Sequence, residues 1–249
     1  MPETLILQSH TQPLPYSWLN DCLASVRQWA HSQSYDYRFI DDELFEVLPV
    51  DLAFLHGTYP VIASDIARLT WLSKFLQQGY QRVIWMDADF LIFDQAFSLS
   101  DDDVCFGREV WIQPDKKTGL KVYKKIHNAF LQFSQGNAFL DFYIHSATQI
   151  VRRFTGHMPA QLVGPKLLSA FHNIVSFPVN ETAAVLSPVL IQGLLNDDDE
   201  VIKTWKKHSQ VSPHAVNLCA SSCVRGELSE ADMQRVIALL TSNMMGDRL

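Results

Sequence analysis

The sequence predicts an α/β fold: a mixed, mostly parallel central sheet flanked by helices. Three observations carry that expectation. Short apolar runs alternate with helix-period stretches from Thr4 to Phe93, the order in which crossover helices join parallel strands. Residues 82–86 (RVIWM) form a nearly continuous apolar run, the pattern of a strand covered on both faces. At 249 residues the chain is long enough to bury a substantial core.

Residues 4–9 (TLILQS) read as the first strand. Residues 15–31 follow with Trp18, Leu19, Cys22, Leu23, Val26 and Trp29 at helical spacing. Residues 35–40 (YDYRFI) make the next strand and run into Asp41-Asp42-Glu43, an acidic helix start. A helix is expected over 64–78, with Ser64 as its cap and Ile66, Leu69, Leu72, Phe75 and Leu76 facing inward. Gly79-Tyr80 closes it, and the 82–86 strand follows directly.

Beyond this the chain changes character. Residues 107–126 are polar and basic and are expected to form a loop or hairpin over the site, with a short strand at 128–133. Helices are expected at 137–154 and 164–172, short strands at 176–178 and 185–190, and a terminal helix at 230–243 capped by Ser229. The acidic run 196–200 reads as a solvated helix start, and Asp101-Asp102-Asp103 as a plain acidic turn. Without an internal repeat or linker, a single domain over 1–249 is favoured, falling into halves at 1–106 and 107–249.

Composition excludes several classes. The net charge of −7 and the lack of a long basic stripe argue against a nucleic-acid partner. Met1-Pro2-Glu3-Thr4 has no signal-peptide character, and no apolar run approaches the ~20 residues of a membrane helix. Cys22, Cys105, Cys219 and Cys223 are sparse and have no second pair at zinc-finger spacing. The chain therefore reads as cytoplasmic. Eleven per cent aromatic residues suit a packed core and a sugar-stacking surface. No P-loop, G-x-G-x-x-G or G-x-S-x-G is present.

The chemistry centres on Asp87-Ala88-Asp89, which interrupts an apolar stretch running from Val83 to Phe93. Burying an ionised carboxylate without a partner costs several kcal/mol, so the pair calls for compensation, most simply by a divalent cation that in turn serves a phosphate. The pair also sits where a parallel strand leaves the sheet, the edge at which open α/β sheets bind ligands. Upstream, Asp65 and Arg68 lie one helical turn apart on one face.

Ala63-Ser64-Asp65-x-x-Arg68, a helix, and an apolar strand ending in Asp87-x-Asp89 resemble the retaining glycosyltransferases of GT-A fold with a DXD motif. That group includes lipopolysaccharide and capsule sugar transferases, α-galactosyl- and α-mannosyltransferase relatives, and the clostridial glucosylating toxin domains. The resemblance is specific over residues 60–93 and continues faintly through Asn128-Ala129-Phe130 and Gly164-Pro165-Lys166-Leu167-Leu168. It implies that Asp65, with Ser64 beside it, binds ribose or donor sugar, that Arg68 binds sugar or diphosphate, and that Asn128 lies near the donor sugar. Asp87 would contact ribose or sugar hydroxyls and the metal, and Asp89 would ligate Mn²⁺ or Mg²⁺ directly.

The chain departs from that pattern in its helix length and in Gln77-Gln78-Gly79, which replaces a glycine pair and leans toward the glycogenin-like and lipopolysaccharide galactosyltransferases. Asn217 stands where a metal-binding histidine is expected, with His214 three residues earlier; the third protein ligand is one or the other.

The resemblance implies a metal-dependent hexosyltransferase that uses a nucleotide-sugar donor, UDP-hexose favoured, and a glycan or lipid-linked sugar acceptor at the inner face of the membrane. Two other readings stay open: a non-catalytic nucleotide-sugar-binding protein and a sugar nucleotidyltransferase. The second needs a glycine-rich basic loop after the first strand, and Gln8-Ser9-His10-Thr11-Gln12-Pro13 has no glycine or lysine.

Overall fold

The computed structural model describes residues 3–242. Eight strands form one sheet: β1 (Thr4–Ser9), β2 (Asp36–Ile40), β3 (Arg82–Met86), β4 (Phe90–Ile92), β5 (Val104–Asp115), β6 (Gly119–Ser134), β7 (Val179–Val185) and β8 (Ala215–Asn217). Their order is β2-β1-β3-β6-β5-β7-β8-β4. Neighbours run parallel at β2/β1, β1/β3, β5/β7 and β7/β8, and antiparallel at β3/β6, β6/β5 and β8/β4. The expected mixed, mostly parallel sheet is the one observed.

The helices are α1 (Leu19–Ser32), α2 (Leu55–Thr58), α3 (Pro60–Gln77), α4 (Ala138–Arg153), α5 (Pro165–Val175), α6 (Pro188–Leu195), α7 (Asp199–His208), α8 (Ser221–Val224) and α9 (Glu230–Thr241). No described helix is long and apolar enough to cross a membrane.

The apolar run of β3 has the reason expected of it. Val83 and Trp85 join the core against α3, α4 and α5, while Ile84 and Met86 join a second cluster against α1. Successive side chains point to opposite faces, and both faces are covered. A third cluster packs α6, α7 and α9 against Val110 and Ile112 of β5.

Several expectations need correction. Ser64 does not cap a helix. Pro60 starts α3 one turn earlier, its missing N–H costing nothing at a first helical position, and the Ser64 hydroxyl donates back to the Pro60 carbonyl at 2.9 Å. Neither strand expected at 176–178 and 185–190 forms there: one strand, β7, fills the interval between them and meets the second only at Val185, and Pro188 opens α6. Ser187 then caps α6, its hydroxyl accepting from the Leu190 N–H at 3.3 Å. The basic 107–126 segment and the 128–133 strand belong to one long antiparallel hairpin, β5–β6. The acidic stretch after β2 is a 3₁₀ turn capped by Asp41. Asp198 caps α7, as a solvated helix start should be. The terminal helix carries a Ser229–Asp232 capping box, and its expected end at residue 243 lies outside the described residues.

Candidate active site

Register brings the candidate residues together. β6 runs antiparallel to β3 with Phe130 opposite Met86, and the Asp87 N–H donates to the Ala129 carbonyl at 2.9 Å. Asn128 is the next residue, so it stands beside the aspartate pair. At the other end of the turn, Phe90 of β4 pairs with Asn217 of β8, and the Leu218 N–H donates to the Asp89 carbonyl at 3.0 Å. The three residues between β3 and β4 thus span from the middle of the sheet order to its end. The sheet must curl for that to happen, and the concave edge it creates holds the site.

α3 supplies Asp65 and Arg68 to the same place. The Arg68 guanidinium donates from one Nη to Asp87 Oδ1 at 2.9 Å and to the Asn128 carbonyl at 3.0 Å. Its second Nη lies 3.5 Å from Asp65 Oδ1, and the group sits over the Trp85 ring at 5.2 Å. Asn128 Nδ2 donates to Asp65 Oδ1 at 2.8 Å. The other Asp65 oxygen is buried without a hydrogen-bond partner and lies against Gly164. Burial dominates the Asp65 carboxyl and, with Arg68 and Asn128 pulling it down and Asp87 pushing it up, holds its pKa at about 6.

Asp89 is held differently. Asn217 Nδ2 donates to Oδ1 at 2.6 Å and the Ala220 N–H to Oδ2 at 2.6 Å. Burial and then repulsion from Asp87 raise its pKa to about 6. The Asn217 amide oxygen accepts from the Cys219 N–H at 3.0 Å. It therefore points away from Asp89, and Asn217 acts here as a holder of the carboxylate. His214 is not brought to the pair: its ring faces Asp94 at 3.9 Å and does not line the cavity. Ser64 does not line it either.

Three carboxylates, Asp65, Asp87 and Asp89, face one guanidinium, Arg68, on a wall of a cavity of about 980 Å³. That excess of negative charge suits a divalent cation. The hard oxygen donors that could hold one are Asp87 and Asp89. Among the described residues no third His, Cys, Asp or Glu completes the set.

Three features of the site escaped sequence reasoning. Trp85 Nε1 donates to Asp87 Oδ1 at 2.7 Å; its position two residues before Asp87 on a strand, hence on the same face, was the available signal. The Ala220 N–H on Asp89 had no signal, because a backbone donor is indifferent to side-chain identity. Gly164 is packed so closely that a Cβ there would run into the Asp65 carboxylate and come within 2.8 Å of Asn128 Nδ2. His127 behaves as a satisfied core residue. Its Nδ1 accepts from the Ala129 N–H and its Nε2 donates to the Ala183 carbonyl, while burial lowers its pKa to about 4 and keeps it neutral.

No protein-family model and no curated protein matches the sequence. Among solved structures, the chain is similar to a glycosyltransferase involved in glycosylation of the major capsid of PBCV-1. The two share 11% identity with a TM-score of 0.53, over 94% of this chain and 98% of that one. The chain shares the fold of that glycosyltransferase. That fold places the aspartate turn at the carboxyl end of β3 and the long β5–β6 hairpin beyond it.

Proposed function

We propose that the chain is a glycosyltransferase that moves a hexose from a nucleotide-sugar, UDP-hexose favoured, to a hydroxyl of a glycan or lipid-linked acceptor, with Mn²⁺ or Mg²⁺ at Asp87 and Asp89. Retention of configuration is part of this proposal and follows from the resemblance of residues 60–93. The observation that carries it is the convergence of Asp65, Arg68, Asp87, Asp89 and Asn128 on one cavity wall, in a glycosyltransferase fold.

Each residue has a role suited to its surroundings. The Asp65 carboxylate accepts from a ribose or sugar hydroxyl, and Asn128 fixes its rotation. Arg68, buried and always protonated, holds Asp87 in place and offers positive charge where a diphosphate leaves. Trp85 and Arg68 together orient Asp87; Asn217 and Ala220 orient Asp89. A bound divalent ion supplies Lewis-acid neutralisation of the departing diphosphate.

The test is release of nucleoside diphosphate from a panel of nucleotide-sugars, with and without Mn²⁺. Metal-dependent release from one donor, lost in Asp89→Asn, is expected. If nucleotide-sugars bind and are never turned over, even with acceptor pools supplied, the binding-protein reading replaces this one. Asn217 at the expected histidine position is the observation that favours that second reading.

A further inference from the structure

The β5–β6 hairpin carries the cavity wall outward from the carboxylate cluster, and its side chains form an ordered ladder. Alternation along β5 puts Glu109, Trp111 and Gln113 on one face and Val110 and Ile112 on the other. Val110 and Ile112 are buried in the core cluster of α6, α7 and α9. Glu109, Trp111 and Gln113 instead line the cavity, partly open to solvent. Cross-strand register then pairs Glu109 with Lys125, Trp111 with Tyr123 and Gln113 with Lys121. Three rungs thus follow one another away from Asn128, spaced by about 7 Å for every two residues of strand.

The middle rung is aromatic on both strands. The ammonium groups of Lys121 and Lys125 flank it, 4.9 and 5.3 Å from the Tyr123 ring. In a chain of net charge −7, this face sets two ammonium groups, Lys121 and Lys125, against one carboxylate, Glu109. A positive, aromatic, hydrogen-bonding strip therefore adjoins a negative cluster in the same cavity. Nothing in the core explains the strip, since its other face already does the packing.

We propose that this face is the acceptor subsite and that it takes an oligosaccharide carrying negative charge. The apolar C–H face of a pyranose stacks on the Trp111–Tyr123 rung, where aromatic area is buried while polar edges stay wet. Glu109 and Gln113 hydrogen-bond the ring hydroxyls, and Lys121 and Lys125 pair with the acidic groups. The aromatic rung lies one step beyond Glu109–Lys125, so the stacked sugar is not the one beside the carboxylates. The acceptor is accordingly longer than a single sugar. The word acceptor rests on the transferase reading above; capture of the glycan does not.

The test is a glycan array of neutral and anionic oligosaccharides, probed with the whole chain in the absence of donor and metal. The wild type is expected to bind anionic members, more weakly as salt rises and screens the exposed lysines. Trp111→Ala and the double change Lys121→Gln with Lys125→Gln should each cut that binding by about tenfold, the loss typical of truncating an anchor in a binding face. Tyr123→Ala provides a second aromatic probe should Trp111→Ala fail to fold, with thermal melting reporting the fold of each variant. Capture of neutral glycans alone, no capture at all, or a pattern unmoved in the folded variants overturns the proposal. Anionic capture through Trp111 by a chain that binds no nucleotide-sugar keeps this subsite and removes the transferase reading; the reverse result removes the subsite alone.

Discussion

Asp65 is ionisable, buried at 2% exposure, and left with one oxygen unpartnered, which places ligand recognition and stability in opposition at one side chain. Its pKa in the folded chain, about 6, lies above the ordinary 3.8. Between those values the folded state holds the proton and the unfolded state does not, so stability from this group falls as pH rises from about 4 to about 6. Asp65→Asn should therefore gain stability relative to wild type on going from pH 4 to pH 7, as read by urea denaturation at both. The same substitution should abolish nucleotide-sugar binding. His127 acts with the opposite sign. Its folded pKa of about 4 lies below the ordinary 6.5, and it withdraws stability as pH falls through that window. At Arg68 a purely structural ion pair and a working one part company. Arg68→Ala should cut turnover by orders of magnitude, measured as donor consumption; a loss confined to stability would reduce Arg68 to scaffolding.

Elements decide where these residues stand. The N-terminus of α5 begins at Gly164, whose backbone angles are φ −87° and ψ −113°. That φ is open to any residue, so the demand for glycine is steric: a Cβ would strike Asp65 and Asn128. Gly164→Ala should destabilise the fold by about 1–3 kcal/mol, the usual cost of overpacking. It should also displace the Asp65 carboxylate, visible as lost nucleotide-sugar affinity by calorimetry. The cap of α6 makes a contrasting case, since its side chain does not line the cavity. Ser187 is fully buried, and its hydroxyl accepts from the Leu190 N–H. Ser187→Ala should cost about 1 kcal/mol in thermal or urea unfolding and leave donor affinity unchanged. The hairpin β5–β6 was legible as a basic loop or hairpin over the site, though not in its length or its register. Its strand character was hidden because five of residues 109–125 are lysines, and the apolar alternation is confined to two short stretches, Val110 with Ile112 and Leu120 with Val122.

At the scale of the molecule, the curl of the sheet is what turns a strand end into a site. β3 and β4 are separated by three residues in the chain, yet they sit in the middle and at the end of the strand order. Asp87 therefore belongs to the β3–β6 half and Asp89 to the β4–β8 half. A ligand that engages both should clamp the two halves and raise the melting temperature. Mn²⁺ together with a nucleoside diphosphate is expected to stabilise the chain more than either alone, because the negative cluster repels the diphosphate until a cation is present. Equal shifts with and without Mn²⁺, read by thermal unfolding, would count against Asp87 and Asp89 as the cation's holders.

The sequence by itself determined the β-α-β opening, the buried strand at 82–86, the spacing of Asp65 and Arg68 on one helical face, and the adjacency of Asp87 and Asp89. All of these are local, written in period and spacing within about one element, where physical preferences act on neighbouring residues. Only the tertiary structure decided that Asn128, implied by the resemblance, bonds Asp65, that Asn217 holds Asp89 rather than offering its oxygen to it, and that His214 turns aside to Asp94. It also decided that Gly164 lies against Asp65 and that a backbone N–H from Ala220 holds Asp89. These depend on strand order and register between segments up to 131 residues apart. No periodicity in a single sequence carries that information, because the free energy that selects it comes from burying whole faces at once.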